Sequence, residues 1–268
     1  MKKLLYITTI ILSIAIIVLG HFHWNSKIND AIANAKANAE PLSKKDETKE
    51  ESVKGKESEL DVDDLTKNLS EKARMLVGGA IESGETIEVA LIGSEAQGMG
   101  EAPWPELLQI GIDHAYGEGI FELKSYDFGE DHSNVAIYKE KMADIVDSQP
   151  DIVLLEPFIM NDNGDVGVKD TIEAIKILER RFSESNEDTV FMLQPSHPIF
   201  EPQVYAMQVE GIKEFAEKEK ITYLDHWDNW PDVKDEKVRD YIKDDLSGPN
   251  DKGNEVWAEY LINYFTGK

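Results

Sequence analysis

The stretch Pro150-Asp-Ile-Val-Leu-Leu-Glu156-Pro-Phe-Ile-Met-Asn161-Asp162-Asn-Gly164 sets a short apolar run against a cluster of turn-forming residues. Ile152 to Leu155 offer no polar face, so the run predicts a strand buried on both sides, Ile152 to Glu156. Asn161 to Gly164 is loop chemistry, because asparagine and glycine tolerate left-handed backbone and asparagine bonds its own neighbours. Working outward, comparable runs recur at Ile87 to Ile92, Phe121 to Tyr126, Thr189 to Gln194 and Ile221 to Asp225. Between them lie amphipathic stretches near Pro105 to Tyr116, Asn134 to Ser148, Val168 to Ser183, Gln203 to Glu219, Lys234 to Lys243 and Gly253 to Phe265. Strict alternation of strand and helix implies a parallel sheet covered on both faces. Ligands of such sheets lie beyond the carboxyl ends of the strands, and candidate site residues are sought there.

The first strand ends Ile92-Gly-Ser94-Glu-Ala-Gln-Gly98-Met-Gly100, and Trp104-Pro-Glu-Leu-Leu108 then opens a helix. A serine on a glycine-rich turn is exposed for attack, and the adjacent helix N-terminus favours developing negative charge. The plainer reading is a capping serine. The second strand ends Tyr126-Asp-Phe-Gly129-Glu-Asp-His-Ser133, where a glycine lets the backbone approach a reacting oxygen or simply completes a turn. Near the C-terminus, Asp245-Leu-Ser-Gly248-Pro-Asn250-Asp-Lys-Gly253-Asn-Glu-Val-Trp-Ala258 turns into the last helix.

These blocks, in this order across residues 86 to 268, resemble those of the SGNH/GDSL hydrolases. The family's G-D-S turn is matched by Gly93 to Gly100. Aligned on Gly98 and Gly100, its nucleophile slot holds Ser94; aligned on Gly93, it holds Glu95. The P-D-x-V-x-x-x-x-G-x-N-D block is matched by Pro150 to Asp162, with Ile159 in place of the glycine. The D-x-x-H-P-N-x-x-G block is matched by Asp245 to Gly253, with Gly248 in the slot of the base histidine. The resemblance implies a three-layer α/β/α, flavodoxin-like parallel sheet. It further implies Ser94 as nucleophile, the Gly129 backbone and Asn161 side chain as oxyanion donors, and Asp245 as the acid that orients a base. That base is missing, a loss of about 100- to 10,000-fold in rate by typical acid–base contributions. His197, His226 and His132 also fall on the site-bearing edge, and His226 and His132 are the weak substitutes. The activity implied is that of a serine esterase or acylhydrolase acting on a small-molecule or glycan ester. The competing reading is a binding module that keeps the cleft without turnover.

Composition bounds the rest. The 268 residues carry a net charge of −25 with a pI near 4.5, which argues against nucleic-acid partners, since those need clustered Lys and Arg. The absence of cysteine excludes disulfides and a lipid-modified cysteine. Lys2 and Lys3 precede an apolar run from Leu4 to Gly20 and an aromatic exit at His21-Phe-His-Trp24, with no small-x-small cleavage site. This pattern predicts a transmembrane anchor over 1–24, with a cleaved secretory signal peptide as the alternative, lysines cytoplasmic and the remainder outside the cell. The sequence then predicts a charged flexible linker over 25–60, an N-terminal helix over 61–85 and the hydrolase-like domain over 86–268. No metal or cofactor is implied: H-E-x-x-H, calcium-loop and P-loop patterns are missing, and Asp225, Asp228 and Asp232 suit a solvated acidic loop.

Overall fold

The computed structural model describes residues 61–268, so the expected anchor and charged linker lie outside the described residues. Five parallel strands, β1 Ile87–Gly93, β2 Phe121–Asp127, β3 Ile152–Leu155, β4 Val190–Leu193 and β5 Thr222–Tyr223, form one sheet in the order β2-β1-β3-β4-β5. This is the flavodoxin-like order. Direction of travel across the sheet reverses between β1 and β3, and the loops leaving those two strands part to form the crevice where such sheets bind ligands.

Alternation along each strand divides the core into two layers. Leu91, Leu154 and Met192 pack with Trp104, Trp257 and Phe265 on one face, while Ile92, Leu155 and Leu193 pack with Phe182, Ile212 and Tyr205 on the other. The helices supplying these layers are α1 Val62–Leu65, α2 Glu71–Ser83, α3 Trp104–Tyr116, α4 Ser133–Ala136, α5 Glu140–Asp147, α6 Ile159–Asp162, α7 Val168–Ser185, α8 Gln203–Glu219 and α9 Asp251–Phe265. Trp104 of α3 and Trp257 of α9 stack at 5.0 Å and 12°, fastening these two helices to each other.

Three expected helices come out differently. The one over 61–85 divides into α1 and α2, since the Thr66 hydroxyl closes α1 on the Val62 carbonyl and Ser70 caps α2 through the Ala73 N–H. The one over Asn134 to Ser148 divides at Ile137–Lys139, where Arg181 of α7 donates to the Ile137 carbonyl and so takes an acceptor a continuous helix would use. Lys234 to Lys243 holds only a 3-10 turn, Glu236–Tyr241, because Ile242 turns extended to bridge Pro249. Among the described residues no helix is long and apolar enough to cross a membrane.

Helix α2 crosses the amino ends of the strands. Its Lys72 donates to the carbonyls of Glu187 and Thr189 just before β4, and Met75, Gly79 and Ser83 line a groove with Ile87 and Asp151 at the starts of β1 and β3. The last residues meet α1 at one corner. Asn68 Nδ2 donates to the carbonyls of Asn263 and Lys268 at 3.1 and 3.2 Å, and the Tyr116 hydroxyl lies 2.6 Å from the Phe265 carbonyl and 3.2 Å from that of Leu65. Gly267, at φ +66°, packs so closely that a Cβ there would sit 2.0 Å from the Asp64 carbonyl oxygen.

Candidate active site

Ser94 directly follows β1 and Glu156 directly follows β3, so the two residues face each other across the point where the strand order reverses. The Ser94 N–H and hydroxyl both donate to Glu156 Oε2, at 2.8 and 2.7 Å. Ser94 is 2% exposed and Glu156 is fully buried, and the serine hydroxyl points inward, toward that carboxylate. Burial raises the Glu156 pKa above the usual carboxylate value, against the pull of the two Ser94 hydrogen bonds. Gln97 lies beside them: its Nε2 and Glu156 Oε2 come within 2.5 and 2.7 Å of where a Cβ on Gly93 would stand. Glu156 Oε1, both polar atoms of the Gln97 amide and Gln194 Nε2 have no hydrogen-bond partner among the described residues. Glu95, the residue in the nucleophile slot when the turn is aligned on Gly93, is the partly exposed one of the pair.

The second and third blocks meet as expected, with a different use of their donors. Asn161 Nδ2 donates to the carbonyls of Gly129 and Asp131, each at 2.9 Å, which engages both amide hydrogens and fixes which way the amide points. Gly129, in left-handed backbone at φ +60°, gives its N–H to Asp127 Oδ1 at 2.6 Å. Donors that stabilise an oxyanion must be aimed at it in advance. Here the Asn161 amide staples the loop after β2 to the turn after β3, and the Gly129 N–H closes within its own loop. Asp162 finishes the staple: fully buried, it accepts from the Ser133 N–H and hydroxyl and from the Thr171 hydroxyl. His132 Nδ1 lies 3.7 Å from Asp162 Oδ1, with its side chain 37% exposed.

The final block reaches the Ser94 turn but brings no base to it. A Cβ on Gly248 would stand 2.5 Å from Met99 Sδ and 3.5 Å from Ala96 Cα, so the Met99 thioether fills the space from which a histidine would project. Asp245 is exposed and accepts from the Ser247 hydroxyl and N–H at 2.6 and 3.0 Å, which holds its carboxyl below the ordinary range. Among the described residues it orients no base. Asn250 caps α9 through the Lys252 and Gly253 N–H groups. Two residues that sequence reasoning passed over latch this block to the turn: Asn254 bonds the Met99 carbonyl and the Trp104 N–H, and Asp251 accepts from the Glu101 N–H.

His226 is a core residue. Trp230 Nε1 donates to its Nδ1 at 3.0 Å, so its Nε2 carries the proton and donates to the Pro195 carbonyl at 2.9 Å, while its ring stacks on Trp257 at 4.1 Å. With both nitrogens engaged and burial pulling its pKa down to about 3, it has no capacity to accept a proton from Ser94. His197, buried after β4, contacts the Leu246 carbonyl through Nε2 and lies 3.3 Å from the Ser196 hydroxyl through Nδ1. Burial lowers its pKa to about 4. A cavity of about 330 Å³ lined by Ser70, Lys72, Thr189 and Thr222 lies at the opposite, amino edge of the sheet.

Solved structures share this arrangement of strands. A protein assigned to the lipolytic G-D-S-L family from Desulfitobacterium hafniense matches 67% of this chain and 99% of its own at TM-score 0.52 and 17% identity. The psychrotrophic esterase EstA from Pseudoalteromonas matches 66% of this chain and 95% of its own at 0.52 and 16%. A carbohydrate esterase family 3 protein from Talaromyces cellulolyticus matches 66% and 94% at 0.54 and 15%. The fold is that of the SGNH/GDSL hydrolases. No family model matches the sequence, and no curated protein does. The likeness is therefore carried by the fold.

Proposed function

We propose that this chain is a slow SGNH-type serine esterase or acylhydrolase, tethered outside the cell membrane by its N-terminal segment and acting on esters of cell-envelope glycans or lipids. The observation that carries the reading is Ser94, a hydroxyl on the turn after β1 at the switch point of a sheet that GDSL esterases share. A carbohydrate esterase among the structural neighbours supports a glycan ester as substrate. Lys2, Lys3 and the apolar run to Gly20 support the tether. Slowness follows from Gly248, which supplies no histidine, and from the 2% exposure of Ser94. Purified protein is expected to release p-nitrophenol slowly from p-nitrophenyl acetate, and Ser94→Ala to abolish that release while the protein stays folded by circular dichroism. Activity indifferent to Ser94→Ala overturns the assignment. Protease added to intact spheroplasts is expected to digest residues 25 to 268; protection of that region overturns the extracytoplasmic placement.

A second reading, a binding module with the cleft and no turnover, is supported by the engaged N–H groups of Gly129 and Asn161. It requires saturable binding of an acylated glycan that Ser94→Ala leaves unchanged, together with no ester cleavage by any variant.

A further inference from the structure

Resting on the esterase reading, we propose that Glu156 is the general base of Ser94, taking the hydroxyl proton that a histidine at position 248 would otherwise receive. The contact is already formed at 2.7 Å, and with Glu156 ionised, the state from which a base acts, the carboxylate accepts and the serine donates. None of the ion pairs among the described residues includes Glu156. The titratable groups that face it are Asp162, following its own strand, and Tyr205 of α8. Neither supplies positive charge, so the carboxylate is left basic by burial.

A purely structural role explains less. Tying the turn after β1 to the end of β3 needs one acceptor for a hydroxyl and an N–H, and a glutamine would serve without the cost of burying a charge. A buried carboxylate with a raised pKa, in contact with a hydroxyl at a topological switch point, is the pattern expected of a base. The unpartnered atoms beside it add to this. Gln97 Nε2, on the 3-10 turn after β1, and Gln194 Nε2, just after β4, are amide donors with no partner among the described residues, unlike those of Gly129 and Asn161.

The reaction balances within this set. As Ser94 Oγ attacks the ester carbonyl carbon, its proton passes to Glu156 Oε2 and the carbonyl electron pair moves onto oxygen. Collapse of that intermediate breaks the bond to the alcohol, which leaves with the proton from Glu156. Water then attacks the acyl-serine, Glu156 takes a proton from it, and that proton returns to Ser94 Oγ as the acid departs. Because Ser94 is 2% exposed, the acyl group reaches Oγ only when the surroundings of Ser94 open.

The test uses the full chain, with p-nitrophenyl acetate for turnover and a phosphonofluoridate label, followed by intact mass, for the nucleophile alone. Labelling of Ser94 is expected to rise with pH along a single limb set by a group above the ordinary glutamate value of 4.5. Glu156→Gln is expected to lower kcat/KM and labelling about 100- to 10,000-fold through kcat, with KM little changed and the limb gone. Labelling and turnover that need Ser94 but ignore Glu156→Gln overturn the base assignment and leave the esterase reading standing. Labelling along the expected limb without ester turnover supports the base and removes the esterase reading. No labelling of Ser94 overturns the proposal outright. Should Glu156→Gln fail to fold, the pH limb of the unaltered protein decides, and a labelling rate flat from about pH 4 to about pH 9 overturns the proposal.

Discussion

Met99 holds the space from which a side chain at position 248 would project, and that makes the missing histidine a matter of packing as well as of chemistry. Gly248→His alone is expected to lower stability by about 1–3 kcal/mol, the usual cost of overpacking a filled site. Met99→Ala introduced alongside it is expected to recover much of that loss, and thermal melts of the double-mutant cycle measure the coupling. Additive effects would show that the loop is packed otherwise. Glu156 gives a linkage of definite sign. Its folded-state pKa is raised, so its stabilising contribution is present below the ordinary value of 4.5 and is lost as pH rises through the folded value. Glu156→Gln, which removes the titration, is therefore expected to gain stability relative to the parent above that folded value and to show no such gain below pH 4.5. Denaturant melts across this range check it. A gain that is independent of pH would mean that the carboxyl does not titrate in the window.

At the scale of elements, two loop systems carry testable loads. Asn161→Ala leaves the Gly129 and Asp131 carbonyls without their donor, and a cost of about 1–3 kcal/mol is expected, with faster amide exchange over residues 127–132. Unchanged stability and exchange would mean that the staple contributes nothing. His226 joins the loop after β5 to α9, and its pKa falls from 6.5 to about 3 on folding. The unfolded chain binds the proton first, so the stability His226 contributes is complete above pH 6.5 and is lost as pH falls toward 3. His226→Phe keeps a ring against Trp257 and is expected to be less stable at neutral pH by about 1–3 kcal/mol, with a shallower decline in acid. A decline as steep as the parent's would place the titration elsewhere. The strands were legible because runs such as Ile152 to Leu155 have no polar face, and the blocks because their turn residues follow those strands directly. Side-chain direction was not legible. Spacing places Ser94, Gly129 and Asn161 on one edge, yet gives no sign that Asn161 reaches back to two carbonyls or that Ser94 turns inward. Glu156 looked like the polar end of a strand, whereas pairing with β1 through the Ile92 carbonyl keeps it inside.

For the molecule as a whole, the parallel sheet separates a carboxyl edge rich in candidate chemistry from an amino edge closed by α2. Deleting residues 266–268 is expected to lower the melting temperature and speed exchange in α1, because Asn68 then loses the Lys268 carbonyl and Gly267 no longer packs on Asp64. An unchanged melt would make that corner ornamental. The corner also decides where mechanical load travels. A pull on the chain upstream of α1 arrives at hydrogen bonds to residues 263–268 and at the Tyr116 hydroxyl, so force is shared between the first and last helical segments before it reaches the sheet. Ser94 and Glu156 lie at the other edge, where the first turn of α9 is bonded to the turn after β1 through Asp251 and Asn254. A tug at this corner is therefore passed along α9 toward the turn that carries Ser94, so one helix links the two edges of the sheet.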